Sequence, residues 1–96
     1  MRKLRTVVVD DEPLARRLMR SMLSELDNVE LVAECRNGRE AIAAVQGLAP
    51  DLLLLDIKMP GMTGFDVVRE LQAVRPNSVR FVRLLNPSTL VREVHS

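Results

Sequence analysis

The chain has 96 residues, of which 47% are hydrophobic, and it carries 14 basic and 13 acidic side chains. This length suits one domain and leaves no room for a second. The near-neutral charge and the presence of only two aromatic residues argue against a dedicated nucleic-acid reader. The single cysteine, Cys35, cannot form an internal disulfide and is expected to be a small buried hydrophobe. No apolar run approaches the roughly 20 residues that cross a bilayer, so we expect a cytoplasmic protein.

The first third of the chain predicts a strand, a helix and a second strand. Residues 6–9 are mostly β-branched and the run stops at Asp10, which indicates a buried strand. A helix should begin at Pro13, because apolar residues then recur at every fourth position. Those residues are Leu14, Leu18, Met22 and Leu26. Residues 29–35 alternate in polarity, as expected of a strand with one wetter face near a sheet edge.

The middle of the chain repeats this strand and helix pattern. Asn37 and Gly38 should turn the chain into a second helix that ends before Pro50. Its inward-facing residues should be Ala41, Ile42, Val45 and Leu48. Residues 52–55 are apolar on both faces, which is typical of a central parallel strand covered by helices. A loop from Lys58 to Gly64 should then lead to a third helix. Its apolar residues are Phe65, Val68 and Leu71, flanked by Val67 and Val74.

Strand and helix in strict alternation predict an α/β, doubly wound parallel sheet of the flavodoxin-like kind. The end of the chain is less regular. Residues 79–85 (VRFVRLL) could add a fourth strand. Asn86 as N-cap, with Pro87 in the first turn, could open a short helix through Val94. His95, next to the terminus, should be solvated and has no expected catalytic role.

Three carboxylates follow strands that should be neighbours. Asp10 and Asp11 end the first strand, and Asp56 ends the third. With the strand order 2-1-3 they should lie within several ångströms of one another, at the carboxyl edge where such sheets bind ligands. Three like charges in one cleft favour a hard cation, and Mg²⁺ takes oxygen ligands while keeping positions for water or a phosphoryl oxygen. Asp56 is then a candidate nucleophile that forms an aspartyl phosphate.

Structural explanations of these residues compete with that hypothesis. Asp10, Asp11 and Glu12 could cap the first helix and complement its dipole. Asp56 is harder to explain in this way, because a carboxylate within the sequence LLLLDI is costly unless it is paired, metal-bound or at the strand end. The methionines of the loop 58–64 are more typical of gap-filling residues than of metal ligands.

The segments VVVDDEP and DLLLLDIKMPGMTGFDVV, at this separation, resemble the receiver domains of bacterial two-component response regulators. The resemblance covers residues 4–74, and DDEPLARRLMRSML is particularly similar to receivers of the LytTR type, which normally precede a DNA-binding domain. It implies that Asp11 and Asp56 ligate Mg²⁺ directly and that Asp10 assists through water. It also implies that the Lys58 backbone carbonyl supplies another oxygen, and that Asp56 accepts phosphate from the phosphohistidine of a sensor histidine kinase.

The end of the chain departs from the family pattern. A full receiver has five strand-helix units, with a Ser or Thr ending the fourth strand and a Lys followed by Pro after the fifth. This chain has only two lysines, Lys3 and Lys58, and neither follows a late strand. LLNPSTLVREV resembles a final Leu-Leu-Lys-Pro unit with Asn86 in place of the lysine, as a deletion of strand four, helix four and most of strand five would produce. Alternatively, the residues after about Ser78 are unrelated, as a shifted frame or an early stop would produce.

We therefore expect one receiver domain over residues 1–96, with a clear match in 1–75 and a divergent tail in 76–96. Its expected role is a signalling one, without enzymatic turnover beyond self-catalysed phosphotransfer, in a phosphorelay that regulates an output such as transcription. Neither a nucleic acid nor a membrane is an expected direct partner. A haloacid-dehalogenase-like phosphatase would instead need Asp-x-Asp on the nucleophile strand. A flavin or nucleotide binder would need a Gly- or Ser/Thr-rich loop after the first strand.

The alternative function is a degenerate receiver that acts only as an interaction or dimerisation module. Three strand-helix units cannot cover both faces of a parallel sheet as five do, so another chain could complete the sheet. We expect a homodimer, and residues 79–85 are the segment that two protomers could exchange.

Overall fold

The computed structural model describes residues 2–74, 79 and 81–85, and every structural statement below concerns these residues. They form four strands that alternate with three helices. The elements in chain order are β1 (Leu4–Val9), α1 (Pro13–Ser24), β2 (Val29–Cys35), α2 (Gly38–Leu48), β3 (Leu52–Asp56), α3 (Gly64–Val74) and β4 (Phe81–Leu85). No helix in these ranges is long and apolar enough to span a membrane.

The strands form one parallel sheet in the order β2-β1-β3-β4. The predicted order 2-1-3 and the fourth strand are therefore confirmed, as is the edge position of β2. The third strand would lie at an edge only if the fourth were weak or displaced, and this condition is not met, because β4 pairs with β3 along its whole length. The helix predicted for residues 86–94 and the side chain of His95 lie outside the described residues.

The main core lies between the sheet and the pair α2 and α3. Ten buried residues form one cluster there: Val7, Val9, Cys35, Ala41, Val45, Leu53, Leu55, Met59, Val67 and Leu71. Side chains of a strand alternate between the two faces of a sheet, so Val8, Leu52 and Leu54 point to the side of α1. Val8 is fully buried, whereas Leu52 and Leu54 are only half-buried. The central strands are thus covered completely on one face and partly on the other.

Most of the apolar repeat predicted for α1 does not face the core, and of its four residues only Leu18 is partly buried. Leu14, Met22 and Leu26 are exposed by 45%, 55% and 49%, and the buried residues are Ala15 and Met19. The physical reason is that α1 packs mainly against β1 and the edge strand β2. A narrow buried strip on α1, which includes the small residue Ala15, is enough for the helix to lie close to these two strands. Leu26 also lies beyond the helix, which ends at Ser24.

The predicted inner faces of the other helices are partly wrong. In α3 the core-facing residues are Val67 and Leu71, whereas Phe65 in the first turn is 55% exposed. In α2 the buried residues Ala41 and Val45 were predicted correctly, but Leu48 in the last turn is 36% exposed. In both helices a large apolar residue in a terminal turn is exposed, which periodicity alone does not reveal.

The edge of the sheet opposite the three carboxylates is held together by Asp51, which precedes β3. This residue is 6% exposed, and its side chain accepts hydrogen bonds from the Arg5 backbone N–H and the Arg2 guanidinium, both at 2.9 Å. The Asp51 N–H in turn donates to the Arg5 carbonyl at 2.7 Å. These bonds fix β3 against β1 and so help to set the relative height of the two strand ends that carry the carboxylates.

Candidate metal centre

Two adjacent strands deliver three carboxylates to one point at the carboxyl edge of the sheet. Asp10 and Asp11 follow β1, Asp56 is the last residue of β3, and β1 pairs with β3 in register. One carboxylate oxygen from each residue lies within 4.8 Å of the other two. The predicted convergence of these side chains is therefore confirmed as geometry.

Asp10 is the most deeply buried member of this carboxylate cluster. The residue is 1% exposed. Its Oδ1 accepts a hydrogen bond from the Glu12 N–H at 2.9 Å, and its Oδ2 is buried with no hydrogen-bond partner in the part of the chain that the structure describes. Burial raises the pKa of Asp10 from 3.8 to about 6, and the charges of Asp56 and Asp11 add to the increase. A buried carboxylate oxygen without a donor is costly, and a bound cation or its water would remove that cost.

Asp56 is fixed by the backbone that follows it. The Lys58 N–H donates to Oδ1 of Asp56 at 3.1 Å, while the side chain as a whole is 7% exposed. Burial raises the pKa of Asp56, and the neighbouring Asp11 carboxylate raises it further. Asp11 is the most accessible of the three carboxylates. An ion or a phosphoryl donor can therefore approach the cluster from the side on which Asp11 lies.

The turn that carries Asp10 is tied to the neighbouring strand. The Asp10 N–H donates to the Cys35 carbonyl at 3.0 Å, and the Arg16 guanidinium donates to the Asp10 carbonyl at 2.6 Å. Arg16 comes from the first turns of α1, so the helix holds the end of its own strand. Cys35 is buried as predicted, and burial raises the pKa of its thiol to about 11.

The loop between β3 and α3 is closed on itself and anchored in the core. The Gly64 N–H donates to the Ile57 carbonyl at 3.1 Å, and the Met59 side chain is 5% exposed. Thr63 and Asp66 exchange hydrogen bonds in a capping box at the start of α3, at 3.0 and 3.2 Å. The backbone around Lys58 is therefore held from both sides.

The donor set fits a hard divalent cation. All three side chains offer carboxylate oxygens, which Mg²⁺ prefers, and one of these oxygens is buried without a partner. None of the ion pairs among the described residues involves the cluster. The negative charge is thus available to an ion. The exposed Lys58 side chain belongs to no described ion pair, and this residue approaches the cluster through its backbone.

Sequence reasoning found the three carboxylates and Lys58 but missed the residues that hold them. No contact was predicted for Arg16, and Gly38 was predicted only as a turn residue. The contact of Gly38 with Met62 joins the start of α2 to the loop after Asp56. The contact between Gly38 and Met62 has no sequence signal, because it joins segments that are distant along the chain. The bond from Arg16 to the Asp10 carbonyl is local, but it depends on how α1 turns back on the end of β1.

Comparison with known proteins places this geometry in a family. The sequence model of the response regulator receiver domain matches residues 6–84. The chain belongs to the response regulator receiver family. The match extends beyond residue 75, where the clear resemblance was expected to end, and the division of the chain at that residue stays a prediction.

Similar proteins have different overall roles. The transcriptional regulatory protein BtsR of Salmonella typhi is 49% identical over 65 residues, which cover 68% of this chain and 27% of that protein. The protein-glutamate methylesterase/protein-glutamine glutaminase of Alkalilimnicola ehrlichii is 44% identical over 77 residues, or 80% of this chain and 20% of that protein. This receiver thus spans about a quarter or less of the length of these relatives.

Solved structures agree on the fold. The signal receiver domain of the response regulator NarL from Mycobacterium tuberculosis superposes with a TM-score of 0.78 at 30% identity, covering 99% of this chain and 78% of that chain. The response regulator domain of Thermotoga maritima CheB gives a TM-score of 0.77 at 18% identity, covering 98% and 95%. The flavodoxin-like fold is therefore confirmed, in a form that is incomplete relative to full receivers.

Proposed function

We propose that this receiver accepts a phosphoryl group on Asp56 in a two-component phosphorelay, with Mg²⁺ bound at the carboxylate cluster. Asp11 and Asp56 would ligate the ion directly, Asp10 would act through a water molecule, and the Lys58 backbone carbonyl would supply a further oxygen. The phosphoryl donor would be the phosphohistidine of a sensor histidine kinase, and the domain would act in signalling without enzymatic turnover of its own.

The observation that carries this proposal is the buried, unpartnered Oδ2 of Asp10 within a cluster of three carboxylates that no described ion pair neutralises. A structural cap would not need this arrangement. Glu12 donates one backbone N–H to Asp10, and the N-cap residue of α1 is Glu12 itself, with no side-chain capping bond. The purely structural explanation of Asp10 and Asp11 as helix caps therefore leaves most of their carboxylate oxygens unexplained.

The chain's own residues have distinct roles in the proposed transfer. The Lys58 N–H holds Oδ1 of Asp56, which leaves the second oxygen of this carboxylate to attack phosphorus. As the new O–P bond forms, the P–N bond to the donor imidazole breaks, and that nitrogen keeps the electron pair. Bound Mg²⁺ would offset the charge of the phosphoryl oxygens as they approach three acidic side chains.

Labelling by acetyl phosphate in the presence and absence of Mg²⁺ tests this function. Wild-type protein should gain one acid-labile phosphate only with Mg²⁺, and Asp56→Asn should gain none while keeping its fold. The matched control is Asp27→Asn, which changes an exposed aspartate outside the cluster. Retained acid-labile phosphate in Asp56→Asn, measured by mass spectrometry, would show that another residue is the acceptor.

Titration of Mg²⁺ tests the proposed ligands. The wild-type protein should bind with an affinity on the order of millimolar, because so few carboxylates offset only part of the ion's dehydration cost. Asp11→Ala should abolish binding at these concentrations. An unchanged titration of that variant would remove Asp11 from the ligand set.

A second candidate function is a receiver that serves as an interaction module without efficient phosphotransfer. The observation in its favour is that the two lysines are Lys3 and Lys58, so no lysine follows a late strand to bind the phosphoryl group. Without that charge we expect slow labelling. A wild-type protein that binds Mg²⁺ but gains no phosphate would favour the interaction module.

Assembly and output extend the proposal. Within the described residues β4 is an edge strand, and its Val82 is 40% exposed, so we propose that a second copy covers this region as a homodimer. Because β4 pairs with β3 of its own chain, exchange of residues 79–85 between protomers is one arrangement of that dimer and not a requirement. Light scattering at high micromolar concentration tests this assembly, since a stable monomer would contradict the dimer.

The similarity to BtsR supports a transcriptional output, and the LytTR subtype stays a prediction.

A further inference from the structure

The first residue of α2, Gly38, is a socket for a side chain of the loop after Asp56. A Cβ built on Gly38 would lie 2.5 Å from Sδ and 2.9 Å from Cγ of Met62, and 2.8 Å from Cγ2 of Val67. These distances are too short for any real side chain, so the absence of one at Gly38 is what lets Met62 approach the helix. In contrast, Gly47 in the last turns of the same helix has no atom within 4 Å of such a Cβ.

This contact is the outer anchor of the loop between β3 and α3. Met59 fixes the first half of the loop in the core, and the Gly64 N–H to Ile57 carbonyl bond closes the loop at its base. Met62 lies between these points, where the Met62 N–H donates to the Pro60 carbonyl at 3.0 Å. Without Met62 in the socket, the outer half of the loop would be attached to the rest of the protein only at its two ends.

Met62 lies at the margin of the hydrophobic core, against which it packs. Met62 is only partly buried and lines two adjacent cavities, of about 380 and 260 Å³, between α2 and the segment formed by the loop and α3. Arg39 lines both of these cavities together with Met62. The close approach to Gly38, where the side chains of Met62 and Val67 both meet the start of α2, is the contact that attaches Met62 to this helix.

We propose that Met62, seated against Gly38, is a positioning residue that holds the backbone of residues 57–59 beside Asp56 and thereby sets the Mg²⁺ affinity of the carboxylate cluster. The inference rests on the proposed function where it concerns Mg²⁺, and on the loop contacts alone where it concerns the backbone. Lys58 connects the two, because its N–H binds Asp56 and its carbonyl is a proposed ligand. A loop that shifts by a fraction of an ångström moves both groups together.

The test compares four variants of the same chain. Met62→Ala empties the socket, Met62→Leu fills it with a side chain of similar volume, and Gly38→Ala occupies it with a methyl group that displaces Met62. Gly47→Ala is the matched control in α2, where the added methyl group meets open space. Two readouts are needed: amide hydrogen exchange in metal-free protein, and Mg²⁺ titration.

In metal-free Met62→Ala and Gly38→Ala, exchange of the Lys58 and Gly64 amides should become faster, while exchange of Leu53 in β3 stays as in the wild type. Both variants should bind Mg²⁺ roughly tenfold more weakly, the loss typical of residues that orient metal ligands. Met62→Leu should recover both values, and Gly47→Ala should leave both unchanged.

Two results would overturn the inference. The first is Met62→Ala with wild-type exchange at Lys58, which would show that the socket does not hold the loop. The second is a loss in Met62→Ala that Met62→Leu does not recover, which would assign the effect to something other than packing. A wild-type protein that binds no Mg²⁺ would refute the proposed function and the claim about affinity, and the Lys58 exchange rate would still decide whether Met62 positions the loop.

Discussion

Replacing Asp10 by asparagine should stabilise the metal-free protein at neutral pH. The side chain is buried, one of its oxygens has no hydrogen-bond partner, and two other carboxylates lie within 4.8 Å. Asp10→Asn keeps the shape, removes one of three like charges and adds an amide that can donate to Asp11 or Asp56. The Glu12 N–H keeps its acceptor, because the amide oxygen can take the place of Oδ1.

The magnitude follows from the pKa of Asp10, which rises from 3.8 to about 6 on folding. Each pKa unit corresponds to about 1.4 kcal/mol, so the ionised group would destabilise the native state by about 3 kcal/mol at pH 7. The cluster opens to solvent beside Asp11, and screening reduces the expected gain in Asp10→Asn to about 2 kcal/mol. Since the folded pKa is raised, the folded state binds more protons, and stability falls as the pH increases from about 4 to about 6.

Urea denaturation in EDTA, at pH values from about 3.5 to 8, measures this pH dependence of stability. Roughly one experiment per half unit of pH is sufficient. The stability of Asp10→Asn should equal that of the wild type near the acid end, exceed it at pH 7 and decline less steeply between them. Asp56 contributes in the same direction, so some decline remains. Asp66→Asn is the control with opposite sign, because hydrogen bonds from Thr63 lower the pKa of Asp66. A wild-type pH profile in Asp10→Asn, or a loss of stability at pH 7, would refute the reasoning.

Three further predictions concern residues outside the cluster. Asp51→Ala should destabilise the protein by about 1–3 kcal/mol in urea denaturation, because it leaves the buried Arg5 N–H without its acceptor. Asn37→Ala should cost about 1 kcal/mol in the same assay, since the Asn37 side chain accepts the Glu40 N–H at 2.9 Å as the N-cap of α2. The Cys35 thiol, with its pKa raised to about 11 by burial, should react with Ellman's reagent in urea at pH 8 and hardly at all in native protein, and fast native labelling would contradict its burial.

The order of elements and the carboxylate cluster were predictable because both depend on local patterns plus one rule of topology. Apolar runs that stop at Asp10 and Asp56 mark strand ends, and adjacent parallel strands bring their ends together at one edge. Strand positions were accurate because each strand is short and bounded by polar or turn residues. The fourth strand was the weakest of these predictions, yet Phe81–Leu85 pairs with β3 residue by residue.

The helix faces were harder to predict, and the errors have a common cause. Periodicity identifies every apolar stripe on a helix, but it does not show which stripe faces the sheet when a helix has two. On α1 the stripe with the larger residues, Leu14 and Met22, is exposed, and the one with Ala15 and Met19 is buried. Close packing of α1 against the sheet favours the small residue, which only the three-dimensional arrangement reveals.

The neighbours of the carboxylate cluster are held almost entirely by contacts that leave its charge intact. Arg16 binds the Asp10 carbonyl and not the carboxylate, Met59 is anchored in the core, and Met62 packs against Gly38. A lysine or arginine paired with the carboxylates would stabilise the metal-free fold, but it would also compete with a cation and offset the negative charge that binds it. Burial, together with the same charge, raises the pKa of Asp10 and destabilises the native state near pH 7. The negative charge that gives the cluster its proposed affinity for Mg²⁺ is therefore the same charge that destabilises the metal-free protein. The contacts of Arg16, Met59 and Met62 keep the site assembled before the ion binds.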